Sequence, residues 1–100
     1  MHFYDPHTPY TPPDEWRARA GGVAYDGEVA FTDAQLGRLL DAVRTAGLAE
    51  RTLTIVVGDH GEGLGDHGEA THGLLLYEAA LRVPFVAAGP GVPVARRDDV

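Results

Sequence analysis

Four residue types are missing from this chain of 100 residues: cysteine, serine, lysine and asparagine. Without cysteine the chain can form neither disulfides nor thiolate metal sites, and its redox compartment cannot be inferred. Without serine or cysteine, any covalent catalysis by the chain itself would need Thr, Asp, Glu, His or Tyr as the nucleophile.

Positive charge is also scarce, since eight basic residues stand against fifteen acidic ones and the net charge is −7. The chain has no basic stripe to neutralise phosphates, which argues against nucleic acid as the main partner. No apolar run approaches the roughly 20 residues that cross a bilayer. The N-terminal MHFYDPHTPY has neither the basic nor the apolar region of a signal peptide. Compartment and oligomeric state stay open.

The stretch Thr52–Gly73 organises the rest of the chain. Its first part is a short, β-branched apolar run, which predicts a strand over Thr52–Gly58 buried on both faces of a parallel sheet. Open α/β sheets place their ligands outside the carboxyl ends of their strands. Asp59 and His60 stand at that position, so we predict that they belong to a functional site.

The remaining pattern predicts an incomplete α/β domain. Apolar residues in steps of four and three predict a helix from about Gly22 to Ala46, with Gly47 as its C-cap. A short helix or helical turn is predicted within Leu74–Leu81, and a second buried strand at Phe85–Ala88. Helix-then-strand is half of a βαβ crossover, so the two strands are predicted to be parallel. Both ends look cut, which suggests a piece of a larger protein, and the bare pair of strands is expected to expose its edges and apolar faces.

Asp59 and His60 are candidate metal ligands. A carboxylate suits hard divalent cations, whereas an imidazole shifts the preference toward Zn²⁺, Mn²⁺ or similar ions. Consecutive residues point to opposite sides of a strand, but flanking glycines at Gly58 and Gly61 allow the two side chains to converge. Two ligands do not make a tight site, so one or two further carboxylates must come from elsewhere.

The sequence Asp-His-Gly-Glu occurs twice, at 59–62 and 66–69. A three-histidine zinc site made of His60, His67 and His72 is the disfavoured alternative, because these spacings match no helical ligand motif. Asp66, His67 and Glu69 are predicted to lie in a solvated loop.

His7 and His72 are candidate substrate contacts. His7 lies among the four prolines of the segment 5–13. It is either an incidental histidine of a surface loop, which the loop alone favours, or one that the prolines hold rigidly for function. His72 would be anchored by the apolar segment behind it. Together with His60, these histidines could surround an anion.

Four stretches in order resemble the sulfatase family of the alkaline phosphatase superfamily, close to its phosphonate monoester hydrolases. They are HFYDPHTPYTPP, YDGEVAFTDAQLGRLLDA, TIVVGDHGEGLGDHGE and THGLLLYEAALRVPFVAAGPG, and they cover nearly the whole chain. The resemblance implies a mixed, mostly parallel α/β/α sandwich. It also implies one divalent metal, commonly calcium, beside a formylglycine made from Cys or Ser. Members of the family are often exported.

The resemblance assigns a role to each candidate residue. Asp59 and His60 match metal ligands; many sulfatases have Asn at the second position, so His60 leaves manganese or zinc possible beside calcium. His7 matches the histidine that contacts the sulfuryl or phosphoryl group. His72 falls where many relatives carry a lysine that binds the same oxyanion or assists the leaving group.

The departures from the family pattern are at the N-terminal side. The family's N-terminal metal carboxylates and its Cys/Ser-x-Pro-x-Arg nucleophile motif are missing. Residues 1–100 are therefore expected to be a C-terminal part of the catalytic domain, inactive alone. The expected parent function is cleavage of small-molecule or glycan sulfate esters. The alternatives are a phosphonate or phosphate ester hydrolase or phosphoryl transferase of the same superfamily, and a non-catalytic metal-binding remnant.

Overall fold

The computed structural model describes residues 1–97, and the last three residues of the predicted C-terminal tail lie outside the described part. The chain divides into two compact units, one from Met1 to Gly47 and one from Leu48 onward. The first unit is helical, with α1 (Asp14–Arg19) and α2 (Ala24–Thr45). The second unit contains, in order, a 3₁₀ turn (Ala49–Arg51), β1 (Thr54–Val57), a 3₁₀ turn (Asp66–Gly68), α3 (Glu78–Leu81) and β2 (Phe85–Ala88).

The long helix α2 confirms the helix that the apolar periodicity predicts. It begins at Ala24, two residues after the predicted start, and ends at Thr45. Gly47 follows with φ of +68°, and its N–H donates to the carbonyl of Arg44 at 3.0 Å. A left-handed residue just after a helix favours glycine, so Gly47 ends α2 as the sequence predicts.

The short helix α1 is absent from the sequence prediction, which left residues 14–21 unassigned. It follows Pro13, carries Asp14 and Glu15 in its first turn, and carries Arg17 and Arg19 in its last turn. This charge order suits the helix dipole. Six residues are too few to show an apolar period, so the pattern gave no signal. Its Trp16 ring meets the Phe31 ring of α2 edge-on at 6.0 Å.

Both predicted strands form, but their predicted parallel pairing is wrong. β1 and β2 are antiparallel, with Thr54 opposite Ala88 and Val57 opposite Phe85. The reason lies in the connection between them: the N–H of Gly58, after β1, donates to the carbonyl of Pro84, before β2, at 3.1 Å. The chain thus returns to the same end of β1 that it left. Its one helix in between, α3, has four residues and does not carry the chain back along the strand.

The strands are also less buried than predicted. Ile55 is 54% exposed and Val57 is 59% exposed, whereas their neighbours Thr54 and Val56 are half-buried. In β2, Phe85 is 65% exposed. No apolar side chain among residues 1–97 is fully buried. The expectation of exposed apolar strand faces is therefore confirmed, and the expectation of burial on both faces is wrong for this chain. Within residues 1–97, no helix is long and apolar enough to cross a membrane.

Residues 1–97 bury no apolar core, and this bears on the stability of the chain when it is alone. We expect the 100-residue chain to be marginally stable or to aggregate when it is expressed by itself, since buried apolar area is the main source of folding free energy. Size-exclusion chromatography followed by a thermal scan checks this. A soluble monomer that unfolds in one cooperative transition would show that the expectation is wrong.

Candidate active site

The loop after β1 is tied by its backbone to the residues that follow it. The N–H of Gly61 donates to the carbonyl of Ala80 at 2.7 Å, and the N–H of Gly63 donates to the carbonyl of Thr71, also at 2.7 Å. These two hydrogen bonds hold the start of the loop, residues 61–63, against the later residues Thr71 and Ala80. As a result, residues 60–62 lie close to His72, although ten or more positions separate them along the chain.

Gly61 is a position where this closure depends on glycine. A Cβ there would overlap the carbonyl oxygen of Ala79, which belongs to the backbone of α3 and cannot move aside as a flexible side chain would. We expect Gly61→Ala to displace the loop and to lower the free energy of unfolding of the protein by about 1–3 kcal/mol. Gly37→Ala in α2 is the matched control, because nothing lies within 4 Å of its added Cβ. Chemical denaturation of both variants checks this, and equal stabilities would contradict the loop geometry.

Asp59 and His60 are placed side by side at the end of β1. The Asp59 carboxylate accepts the N–H of His60 at 3.0 Å through Oδ1. The Nδ1 atom of His60 lies 2.8 Å from the carbonyl oxygen of Gly61. A carbonyl oxygen only accepts, so Nδ1 carries a proton and the lone pair of a neutral His60 is on Nε2. A backbone carbonyl on the far ring nitrogen is a common way to orient a metal-binding histidine.

The two candidate ligand atoms converge enough to share one cation. Nε2 of His60 lies 3.8 Å from Oδ1 of Asp59, and the two side chains are 39% and 81% exposed. One carboxylate and one imidazole suit a divalent ion such as Ca²⁺, Mn²⁺ or Zn²⁺. Among residues 1–97, no group of three or more His, Asp or Glu side chains is arranged for a metal. The pair therefore fits part of a metal site, and its role as ligands stays a prediction.

His72 is held by a carboxylate that the sequence reading did not assign. Its Nδ1 lies 3.2 Å from Oε1 and 3.3 Å from Oε2 of Glu62, so the ring N–H donates to this carboxylate. The Glu62 side chain is only 5% exposed and that of His72 21% exposed. A buried carboxylate on one ring nitrogen fixes the ring plane and directs the other nitrogen, Nε2, to the opposite side.

His60 and His72 lie against each other. Their ring centroids are 3.9 Å apart with a tilt of 32° between the planes. The second unit thus gathers Asp59, His60, Glu62 and His72 at the end of β1, where an α/β protein binds ligands. The sequence singled out three of these four. One sequence feature could have identified Glu62 as a site residue: it belongs to the Asp-His-Gly-Glu that directly follows the strand, whereas the second copy does not follow one.

The second Asp-His-Gly-Glu differs from the first. Asp66 and His67 are exposed, as predicted, and the His67 ring stacks on Tyr77 at 3.7 Å. Glu69 was predicted to be solvated, and this is wrong: it is 8% exposed, and its carboxylate accepts the N–H of Leu74 at 2.7 Å and that of Leu75. Backbone donors before α3 need an acceptor, and no sequence spacing reveals which carboxylate supplies it. His67 is turned to Tyr77 while His60 meets His72, so the structure does not support the three-histidine site.

His7 belongs to the first unit and is described there. It is half-buried, its Nδ1 lies 2.7 Å from the carbonyl oxygen of Thr8, and its ring stacks on that of Tyr4 at 4.5 Å. Its backbone N–H donates to Oε2 of Glu28 at 3.1 Å. His7 is therefore held in place rather than left on an open loop. Its role as a substrate contact stays a prediction.

Comparison with known proteins decides the family. The family model described as Sulfatase matches residues 1–100. The chain belongs to the sulfatase family. It is 36% identical to a sulfatase from Formosa agariphila, over 91% of this chain and 19% of that protein. It is 40% identical to an arylsulfatase from Clostridium perfringens, over 75% of this chain and 15% of that protein.

A mammalian sulfatase is similar as well. The chain is 38% identical to arylsulfatase K from Bos taurus, over 68% of this chain and 12% of that protein. This sulfatase-family chain therefore spans between 12% and 19% of the length of these relatives. No solved structure matches it. The resemblance on the four sequence stretches is confirmed at the level of the family.

Proposed function

We propose that this chain supplies part of the active site of a metal-dependent hydrolase that cleaves sulfate esters. In this proposal, residues 1–100 are a C-terminal part of one catalytic domain with an alkaline-phosphatase-like α/β/α architecture. The nucleophile and the remaining metal carboxylates come from other parts of the same polypeptide. The substrate is a small-molecule or glycan sulfate ester.

The observation that carries the proposal is the grouping at the end of β1. A half-buried histidine, His72, donates to the buried carboxylate of Glu62 and stacks on His60, which adjoins Asp59. A histidine oriented by a buried carboxylate is a recurring device for placing a ring nitrogen at a reacting group. The match of the sulfatase family model to residues 1–100 supports this reaction class.

The proposed metal is a single divalent ion, with calcium as the preferred candidate, and Asp59 and His60 supply part of its ligands. When bound, such an ion stabilises negative charge that develops on sulfuryl oxygens. Asp59 contributes an anionic oxygen ligand, and His60 contributes Nε2 because its Nδ1–H is engaged with the carbonyl of Gly61. His60 also keeps manganese and zinc as alternatives, since imidazole suits these ions better than it suits calcium.

The two remaining candidates act on the substrate in this proposal. His72 presents Nε2 to a non-bridging sulfuryl oxygen or to the leaving-group oxygen, while Glu62 keeps the ring in that orientation. The proposed role of His7 as a contact of the sulfuryl group rests on the resemblance of its proline-rich segment to the sulfatase family. Donors held in advance at the positions where charge develops lower the barrier more than mobile ones, because they need no reorganisation during the reaction.

The substrate class is tested with the full-length protein, which here means the whole polypeptide of which residues 1–100 are proposed to be a part. We expect it to hydrolyse 4-nitrophenyl sulfate with a higher kcat/KM than 4-nitrophenyl phosphate or a phenylphosphonate monoester. Activity is expected to disappear with a chelator and to return with added Ca²⁺. A preference for the phosphonate monoester would favour the phosphonate hydrolase alternative. Metal binding without hydrolysis of any of these esters would favour the non-catalytic alternative.

A further inference from the structure

The buried carboxylate of Glu28 has no part in the proposed chemistry, yet its surroundings connect it to His7. Glu28 lies in the second turn of α2 and is only 3% exposed. Its Oε2 accepts the backbone N–H of His7 at 3.1 Å, and its Oε1 accepts the backbone N–H of Thr11. Removing a carboxylate from water is unfavourable unless hydrogen bonds compensate it. Here the compensating donors are the backbone N–H of His7 itself and that of Thr11, both within the proline-rich segment 5–13.

Helix α2 contacts this proline-rich segment at two further points. One turn after Glu28, the hydroxyl of Thr32 donates to the carbonyl of Asp5 at 3.4 Å. At Gly27, the residue before Glu28, Pro12 approaches the helix backbone closely: a Cβ added at Gly27 would lie 2.9 Å from Cγ of Pro12. Residues four apart on a helix share a face, so Glu28 and Thr32 form one surface against which the segment rests.

We propose that Glu28 is a positioning residue for His7. It does not touch the substrate: it fixes the backbone at His7 and at Thr11, and so sets where the His7 ring stands. The ring itself is restrained by the Thr8 carbonyl and by Tyr4. Without the carboxylate, these local contacts would move together with the segment. Since His7 meets a substrate only under the proposed sulfatase function, the catalytic consequence of Glu28 depends on that function.

Glu28→Gln is the informative substitution because it preserves the shape of the side chain and removes one of its two hydrogen-bond acceptor oxygens. A carboxylate presents two acceptor oxygens, whereas an amide presents one oxygen and one NH₂ donor. The N–H of either His7 or Thr11 would then face another donor and lose its partner, which is costly in a buried place. We expect the kcat/KM of the full-length protein for an aryl sulfate to fall by about 10- to 100-fold, as for other displaced or unsupported catalytic groups.

Asp33→Asn is the matched control. Asp33 lies on the same helix and is exposed, so the same change from carboxylate to amide removes no buried acceptor. Its kcat/KM should stay close to that of the wild type. Glu28→Asp is the second variant, to be used in the same assays if Glu28→Gln does not fold. It keeps the charge, but it is one methylene shorter and cannot reach both N–H groups.

A double-mutant cycle with His7→Ala separates positioning from a general loss of structure. If Glu28 acts through His7, Glu28→Gln should lower kcat/KM markedly in the wild type and by less than about threefold in the His7→Ala background. An equal loss in both backgrounds, or no loss in the wild type, would overturn the inference.

Amide hydrogen exchange provides a readout that needs no activity. In the full-length protein, a peptide covering residues 5–13 should exchange slowly, and faster in Glu28→Gln but not in Asp33→Asn. Unchanged exchange in Glu28→Gln would overturn the positioning role even in an inactive protein. A wild type that lacks sulfate ester hydrolysis but shows this exchange pattern would contradict only the proposed function.

Discussion

Replacing His72 by alanine should lower the turnover of the full-length protein on a sulfate ester by about 10²- to 10³-fold, the usual cost of removing one preorganised donor from developing charge. The structural reason is that His72 is partly buried, oriented by Glu62 and packed on His60. Alanine removes the ring nitrogen that is proposed to contact the substrate. It also leaves the buried Glu62 carboxylate without one of its donors. Steady-state kinetics at saturating substrate measure the effect as kcat.

His67→Ala is the control for this prediction. It removes a histidine from the same loop, but His67 is exposed and stacks on Tyr77. An exposed side chain away from the reacting groups usually contributes about 0.5 kcal/mol or less, so kcat should change by no more than about threefold. Equal losses in the two variants would mean that the site residues of this loop are wrongly assigned.

Replacing Asp59 by alanine should weaken the binding of Ca²⁺ to the full-length protein by more than about 100-fold. Residues that only support a ligand change metal affinity by about 10- to 100-fold, so a direct carboxylate ligand should exceed that range. Alanine removes the anionic oxygen that lies 3.8 Å from Nε2 of His60. The neutral imidazole of His60 does not replace a lost anionic oxygen for a hard cation, which prefers oxygen ligands. Calorimetric titration with Ca²⁺, Mn²⁺ and Zn²⁺ gives both the affinity and the preferred ion.

Asp66→Ala offers a matched comparison within the repeated sequence. Asp66 also precedes a histidine and also accepts its backbone N–H, at 3.1 Å. The two positions therefore share their local chemistry and differ in where they stand, since only Asp59 follows β1 and adjoins the His60–His72 pair. We expect Asp66→Ala to bind Ca²⁺ as the wild type does. If both variants bind as tightly as the wild type, Asp59 is not a metal ligand.

The fold was predictable where a local pattern determines the structure. Apolar steps along α2 and the glycine after it specify a helix and its end, and the apolar run Phe85–Ala88 specifies β2 with its observed bounds. Periodicity does not report how two strands pair. The antiparallel pairing follows from a long-range hydrogen bond between Gly58 and Pro84, which depends on the path of the whole intervening loop. The two strands were therefore predictable from the sequence, but the relative direction in which they pair was not.

The candidate site was predictable in its histidines and in Asp59, and not in its buried glutamate. His60 and His72 stand out by residue type and by their place after a strand, and the structure brings these two together. Glu62, Glu69 and Glu28 are all well buried, yet acidic residues near glycines or a helix start usually face solvent. Two of the three had a signal in the sequence: Glu62 belongs to the Asp-His-Gly-Glu that directly follows a strand, and Glu28 lies three residues after Tyr25 and four before Thr32, within the apolar face of α2.

The nucleotide sequence upstream of the Met1 codon tests the central claim most directly, since this chain cannot supply the nucleophile that the proposed reaction needs. We predict that the reading frame continues upstream through paired aspartates and a Cys/Ser-x-Pro-x-Arg motif, which would complete the metal site and provide the formylglycine precursor. A stop codon and a ribosome-binding site immediately before Met1 would contradict the claim. The grouping of Asp59, His60 and His72 would then belong to a metal-binding remnant rather than to a working sulfatase.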